Sequence, residues 1–240
     1  MTTSPLAQRL APRVTPPLVR VLEADPDLAR GLARPQQEHA ALALAAQLWT
    51  GNAADDAADI VRSREPEPVS LLVLSGVLAH SVTAYGSTSV GLLSCGDVYC
   101  PGEDGGVDEA AAERLVALVE TRVAVLDAGF FAQAARWPVV TRNLMFRVGQ
   151  RAHRLSLQLA ISHMVGLERK ILALLWHLAD QLGSVGTEGV VVPLRLTNGL
   201  LGNLVGASGP SVSSAVANLT RQQAVSRFPD GAWLLHRSEL

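Results

Sequence analysis

The stretch LRLTNGLLGNLVGASGPSVSSAVANLTRQQAVSRFPDGAW, residues Leu194–Trp233, decides the fold. Leu200, Leu201, Leu204 and Val205 form one helical face that stops at Gly206. A second face, Val212, Ala215 or Val216, and Leu219, repeats at three to four residues, as a buried helix stripe does. Ser208 suits the N-cap of that second helix, and Pro210 its first turn, where the missing N–H has no intrahelical partner to lose. Pro229-Asp230-Gly231 carries turn chemistry between Ala224–Phe228 and Trp233–His236, which predicts a short hairpin. Two helices joined by a tight turn and followed by a wing form a helix-turn-helix. Such a unit places its second helix in a DNA major groove.

Working outward, Val190–Leu194 reads as a strand and Gly183–Gly189 as a flexible turn before it. Leu167–Leu182 is an amphipathic helix, with Gly183 expected as its left-handed C′ residue. Upstream, Trp137-Pro138 opens a longer helix. In it Met145, Val148, Ala152, Leu155, Leu159 and Ser162 recur at alternating spacings of three and four, a heptad seam suited to pairing with another helix or to packing on the chain's own β-roll. Arg142, Arg147, Arg151 and Arg154 fall off that seam.

From Val69 the pattern becomes short β-prone runs broken by glycine: Leu71–Leu74, Val77–Val82, Ser87–Leu93, Val98–Tyr99 and Arg122–Leu126. This predicts a compact all-β roll, with a helical turn or two over Asp108–Val119. Asp25–Trp49 has helical periodicity, Asn52–Pro68 reads as loop, and Met1–Pro17 as a loose tail. The chain divides into a flexible segment (1–19), a β-roll domain (20–136), a long helix suited to dimerisation (137–166) and a winged helix-turn-helix (167–240).

The 240 residues suffice for two modest domains, each with its own core. An apolar fraction of 48 % argues for a folded chain. No run of eighteen apolar residues exists to span a membrane, and no secretory signal is visible. Two cysteines are too few for a disulfide framework, so a reducing, cytoplasmic setting is expected. The net charge of −2 conceals an asymmetry. Met1–Trp137 holds 17 acidic and 10 basic residues, whereas Pro138–Leu240 holds 5 acidic and 10 basic. The half with the helix-turn-helix is the one suited to attract phosphate.

This order of elements resembles the cyclic-AMP receptor and FNR superfamily (Crp/Fnr) of transcription regulators. Gly202, Gly206, Val212 and Leu219 sit in that family's helix-turn-helix register, with Thr197 just before the first helix. Arg169 followed by Ile171-Leu172-Ala173-Leu174-Leu175 matches the helix that begins its winged domain, and Leu74-Ser75-Gly76 and Gly96-Asp97 its recurring strand-turn pieces. The resemblance implies an α+β fold with a cyclic-nucleotide-binding-like β-roll, and a homodimer joined through Met145, Val148, Ala152, Leu155 and Leu159. It implies two recognition helices on a two-fold symmetric duplex, with RNA polymerase as a further partner. Thr197 or Asn198 and Ser208 are expected on phosphate, and Ser211, Ser214 and Asn218 on bases. Gly209 and Ser213 complete the groove-facing surface, while Arg221 and Arg227 add charge.

Two departures matter. Cyclic-nucleotide binders hold the phosphate with a Gly-Glu pair and an Arg-Ser/Thr-Ala run. Here Gly102-Glu103 is displaced from Gly96-Asp97, and the later run reads Ala111-Ala112-Glu113-Arg114-Leu115, so control by cyclic AMP is not expected. In the recognition helix, the slots that carry Arg and Glu in guanine-reading members hold Gly209, Pro210 and Ser214. Bidentate Arg–guanine contacts are unavailable there. That leaves a site read by shape and by Asn218, or weakened binding.

The remaining constellations support no enzyme, cofactor or metal. Cys95 and Cys100 flank Gly96-Asp97 and leave open a thiol redox sensor, although two small β-roll residues describe them as well. The six histidines lack ligand spacing, and Gly183–Gly189 lacks the Lys-Ser/Thr of a phosphate loop. Asp55, Asp56 and Asp59 read as a solvated loop, and the four tryptophans as core anchors. A protein-interaction module that kept the fold and lost DNA is the alternative from another class.

Overall fold

The computed structural model describes residues 17–57, 60, 68–101 and 112–236. The expected tail through Pro16, Asp59, Gly102-Glu103 and Asp108–Ala111 lie outside them. β1 (Leu18–Arg20) leads into α1 (Val21–Ala24), a 3₁₀ turn (Pro26–Ala29) and α2 (Arg34–Ala43). β2 (Ala45–Gly51) follows. β3 (Pro68–Ser75), β4 (Val77–Ala84), β5 (Ser87–Ser94), β6 (Val98–Tyr99), β7 (Ala112–Ala117) and β8 (Thr121–Asp127) complete the roll. One sheet has the order β1-β2-β8-β3-β6 and the other β5-β4-β7. Leu71, Val73, Leu78, Leu93 and Val123 fill the space between them.

Two expectations fail in the roll for one reason, strand pairing. Leu48 and Trp49, read as the end of a helix, belong to β2 and pair with Ala124 and Val123 of β8. Ala112–Ala117, within the stretch whose sequence predicts a helical turn or two, instead forms β7, which pairs with β4 and buries Leu115 and Ala117. A partner strand outweighs helix propensity that is weak per residue.

After α3 (Ala128–Ala134), capped by the Asp127 carboxylate, comes the 25-residue α4 (Pro138–Ser162). Val140 and Leu144 anchor it in a core shared with Leu28, Leu72 and Leu126. Asn143 donates from its carboxamide to the carbonyls of Leu28 (2.9 Å) and Arg30 (3.0 Å). α5 (Leu167–Leu182), β9 (Ser184–Val185), β10 (Gly189–Val192), α6 (Asn198–Val205), α7 (Gly209–Arg221), β11 (Val225–Arg227) and β12 (Trp233–His236) form the C-terminal unit, with sheet order β11-β12-β10-β9. The expected turn at 183–189 thus contains a short strand that pairs with β10. Gly183 ends α5 without a left-handed cap (φ −75°). Its need for glycine is spatial, because a Cβ there would stand 2.4 Å from the Ala179 carbonyl oxygen.

The two units do not keep separate cores. Val77, Ala79 and Val90 of the roll join Leu201, Leu204, Val212 and Trp233 in one buried cluster. Gln158 of α4 ties the seam, donating to the carbonyls of Val90 (2.6 Å) and Leu204 (3.1 Å). Among the described residues, no helix is long and apolar enough to cross a membrane.

Candidate nucleic-acid interface

The helix-turn-helix is set by local chemistry. The Thr197 hydroxyl accepts from the Leu200 N–H (3.2 Å) at the start of α6, and Ser208 accepts from the Ser211 N–H (3.4 Å) at the start of α7. Gly206 ends α6 at φ +70°, a left-handed conformation that glycine adopts without steric cost. At Gly202 a Cβ would lie 2.4 Å from the Ala207 carbonyl oxygen, so only glycine lets the turn close this tightly.

α7 buries Val212, Ala215 and Leu219 against α5 and α6. Its opposite ridge is Pro210, Ser213, Ser214, Ala217, Thr220 and Arg221, all exposed; Ser211 flanks it and Gly209 is half-covered. The hydroxyls are partly engaged within the helix, Ser208 with Ser211 (2.8 Å) and Ser214 with the Pro210 carbonyl (3.4 Å).

Asn218 departs from its expected role. Its amide donates to Glu168 of α5 (2.7 Å), and its carbonyl accepts from Arg221 (2.9 Å). The side chain is thereby turned toward the domain's own α5, where an acid fifty residues away in sequence offers a charge-assisted bond. Asn198 is half-buried at the first turn of α6, its Oδ1 without a partner among the described residues. In the wing, Arg227 donates to the Leu196 carbonyl (2.9 Å) and lies 4.2 Å from the centroid of the buried Trp233 ring. Burial, then the Arg195 charge, lowers its basicity. Arg195, which the sequence reading passed over, packs its stem under Gly231 at the wing tip and is exposed. Its position just outside the helices was the signal available.

The long helix has two dissimilar faces. Toward the roll it presents Val140, Leu144, Arg147, Arg151, Arg154 and Gln158, at alternating spacings of four and three. Three of the four arginines that fall off the apolar seam, Arg147, Arg151 and Arg154, form this second seam; Arg142 stays exposed. Arg147 forms a forked pair with Asp25 (2.8 Å through Nη2), and Asp25 raises its basicity against the opposing effect of burial. Arg154 pairs with the buried Asp97, which also accepts from the Ser94 backbone N–H (2.8 Å) and hydroxyl (3.2 Å). Arg151 stands over Tyr99, 5.6 Å from the ring centroid, with its Nη2 3.4 Å from His80 Nδ1. Its Nε is buried without a partner among the described residues.

Tyr99 donates to Glu113 (2.7 Å), and His80 Nε2 lies 3.1 Å from the same oxygen. Burial lowers the His80 pKa, although Glu113 pulls it up. Burial also raises the Tyr99 hydroxyl, assisted by its bond to Glu113. For Glu113 burial acts upward, but the bonds from Tyr99 and His80 hold it below the ordinary carboxylate value. A groove of about 630 Å³ opens along Arg142, Arg147, Arg154, Cys95 and Gln181. Cys95 and Cys100 are free and exposed. The Cys95 sulfur is part-buried and donates to the Leu74 carbonyl (3.1 Å), and burial followed by the Asp25 charge pushes its thiol up.

The other flank of α4 is mostly uncovered, although Val148 packs against the core around Val140 and Leu144, and Leu155 lies beside Gly91 of the roll. Met145 is 65 % exposed, Leu159 60 % and Leu155 37 %, with Ala152 exposed and Val148 half-buried. Phe146 (66 %) and Leu157 are exposed as well, on a different side of the helix from this strip.

No protein-family model and no curated protein matches the sequence. Solved structures do. A CooA variant from Carboxydothermus hydrogenoformans superposes with a TM-score of 0.62 at 15 % identity, over 90 % of each chain. FixK2 from Bradyrhizobium japonicum gives 0.60 at 16 %, over 80 % of this chain and 93 % of that one. A CRP-family transcriptional regulator from Thermus thermophilus gives 0.59 at 16 %, over 79 % and 92 %. The chain has the Crp/Fnr fold. Within that fold, the exposed ridge of α7 carries no arginine before Arg221, and α4 is tied to the roll by arginine.

Proposed function

We propose that the protein is a cytoplasmic, homodimeric transcription regulator that binds double-stranded DNA and is not controlled by cyclic AMP. The observation that carries this reading is the uncovered ridge of α7 beside the wing, the one face of that helix the chain does not use for itself. Thr197, Asn198 and Ser208 approach phosphate at the helix starts, where backbone N–H groups point outward. Gly209, Ser211, Ser213 and Ser214 enter the groove, and Arg195, Arg221 and Arg227 supply charge at the periphery. Asn218 supports the helix from behind and, through Arg221, orients that charge.

The apolar flank Met145, Val148, Ala152, Leu155 and Leu159 is the dimer seam. Its pairing sets two recognition helices about 34 Å apart, one turn of the duplex. RNA polymerase is the partner through which a DNA-bound dimer would act. The absence of an Arg-Ser/Thr-Ala run from the sequence supports independence from cyclic AMP. The raised Cys95 thiol, which disfavours the reactive thiolate, speaks against a redox sensor.

Selection of bound sequences from a random duplex library by the purified dimer tests this directly. The expected result is a palindrome with half-sites about one turn apart. A folded dimer that enriches no motif and shows no salt-dependent duplex affinity would overturn it in favour of a protein-interaction module.

A further inference from the structure

The ridge of α7 has a chemistry that narrows what it can read, given the DNA-binding reading on which any such specificity rests. Four features of this surface act together. Pro210 offers no side-chain donor and no N–H, only ring methylenes, at the exposed start of the helix. The Ser214 hydroxyl proton is directed to the Pro210 carbonyl and the Ser208 and Ser211 hydroxyls face each other, which leaves the exposed Ser213 and Thr220 hydroxyls, single groups that meet either kind of base edge. Asn218, the carboxamide able to make a bidentate pair with adenine, is held between Glu168 and Arg221. Ala217 stands mid-ridge with an exposed methyl, one turn beyond Ser213 and Ser214.

Each base pair offers the major groove a different set of atoms. Guanine requires donors toward O6 and N7, and adenine a donor and an acceptor side by side; thymine alone among the four presents a methyl. A ridge of short side chains also lets the helix axis approach the base edges more closely than one carrying arginine. Apolar groups at that distance match a C5-methyl and little else.

We propose that α7 recognises the C5-methyl group of a pyrimidine through Ala217 and the Pro210 ring, so that its half-site is anchored on thymine rather than on guanine. 5-Methylcytosine presents the same methyl and is the other source of this chemistry.

The test uses the full-length protein and duplexes recovered by the selection above. Each thymine of a half-site is replaced in turn by deoxyuridine, which removes only the methyl. At the same steps cytosine is compared with 5-methylcytosine. One or two steps per half-site are expected to lose about fourfold in affinity on losing a methyl, the effect of one buried carbon. Recovery by 5-methylcytosine at those steps assigns readout to the methyl whatever base carries it; no recovery assigns it to thymine. Either supports the proposal. Ala217→Gly should erase the discrimination between thymine and deoxyuridine, with an unchanged salt dependence showing that the domain still docks. If every deoxyuridine duplex binds as well as its parent while the protein still selects a motif, the proposal falls and the DNA-binding reading stands. If no duplex binds at all, both fall.

Discussion

Arginine is placed very differently on two helices of this molecule. α4 turns Arg147, Arg151 and Arg154 inward at heptad spacing, onto Asp25, Tyr99 and Asp97 of its own roll. α7 has no arginine before Arg221, its last residue. Positive charge here joins the helix to the roll and is withheld from the surface that would touch bases. Buried guanidinium groups fix one geometry because an unpaired partner charge is costly. An exposed ridge of proline, serine and alanine fixes nothing by charge and leaves docking to shape and methyl contact.

The largest change should come from the flank of α4 that carries no arginine. Met145→Glu with Leu159→Glu places like charges opposite each other in a paired seam. The dimer should dissociate, and operator affinity should fall by roughly 10²- to 10⁴-fold, because two linked half-site contacts become two separate ones. Light scattering and a binding titration read both; a dimer that survives would move the interface off this flank.

Next is the inward face. Arg154→Ala strands Asp97, which is 4 % exposed, and should lower unfolding stability by about 3 kcal/mol in a denaturant melt. Arg221→Ala should leave that melt within about 0.5 kcal/mol, being at the surface. Equal effects at the two sites would erase the distinction between the two helices.

Acidification should expose a smaller effect. His80 and His177 both have pKa values lowered by burial from the ordinary histidine value of 6.5. Each is neutral in both states well above 6.5. Below it the unfolded chain takes up the proton first, so folding stability is lost as pH falls through 6.5 toward the folded values. The unfolding midpoint should drop between about pH 7 and pH 5, and His80→Gln with His177→Gln should flatten that slope. Glu113, held low, adds its own loss only under more acidic conditions.

The smallest effect belongs to the wing. Arg195→Ala should weaken binding a few-fold, equally for all sequences, and reduce the salt slope by about one unit, the signature of one lost phosphate contact. A change in sequence preference instead would place Arg195 on a base.

The helix-turn-helix and the long helix were legible in the amino-acid order alone. Their signals are local: a cap at Thr197, a cap at Ser208, a left-handed glycine at 206, and apolar stripes at helical spacing. Such features act within one or two turns of backbone and are legible residue by residue. The roll was legible where glycine-broken β-prone runs stood alone, as in β4 and β5, and was misread where alanine-rich segments waited for a partner, as in β2 and β7.

The partners of the polar side chains were fixed by folding. Asp25 and Arg147 are 122 residues apart, Asp97 and Arg154 57, and Glu168 and Asn218 50. No periodicity records those distances. The heptad rule finds apolar seams, so the arginine seam of α4 stayed hidden, and Asn218 read as a base contact until Glu168 was brought beside it. Local backbone preferences act before the chain folds, whereas a charged or amide group takes its partner from whatever the packed core places within hydrogen-bond reach.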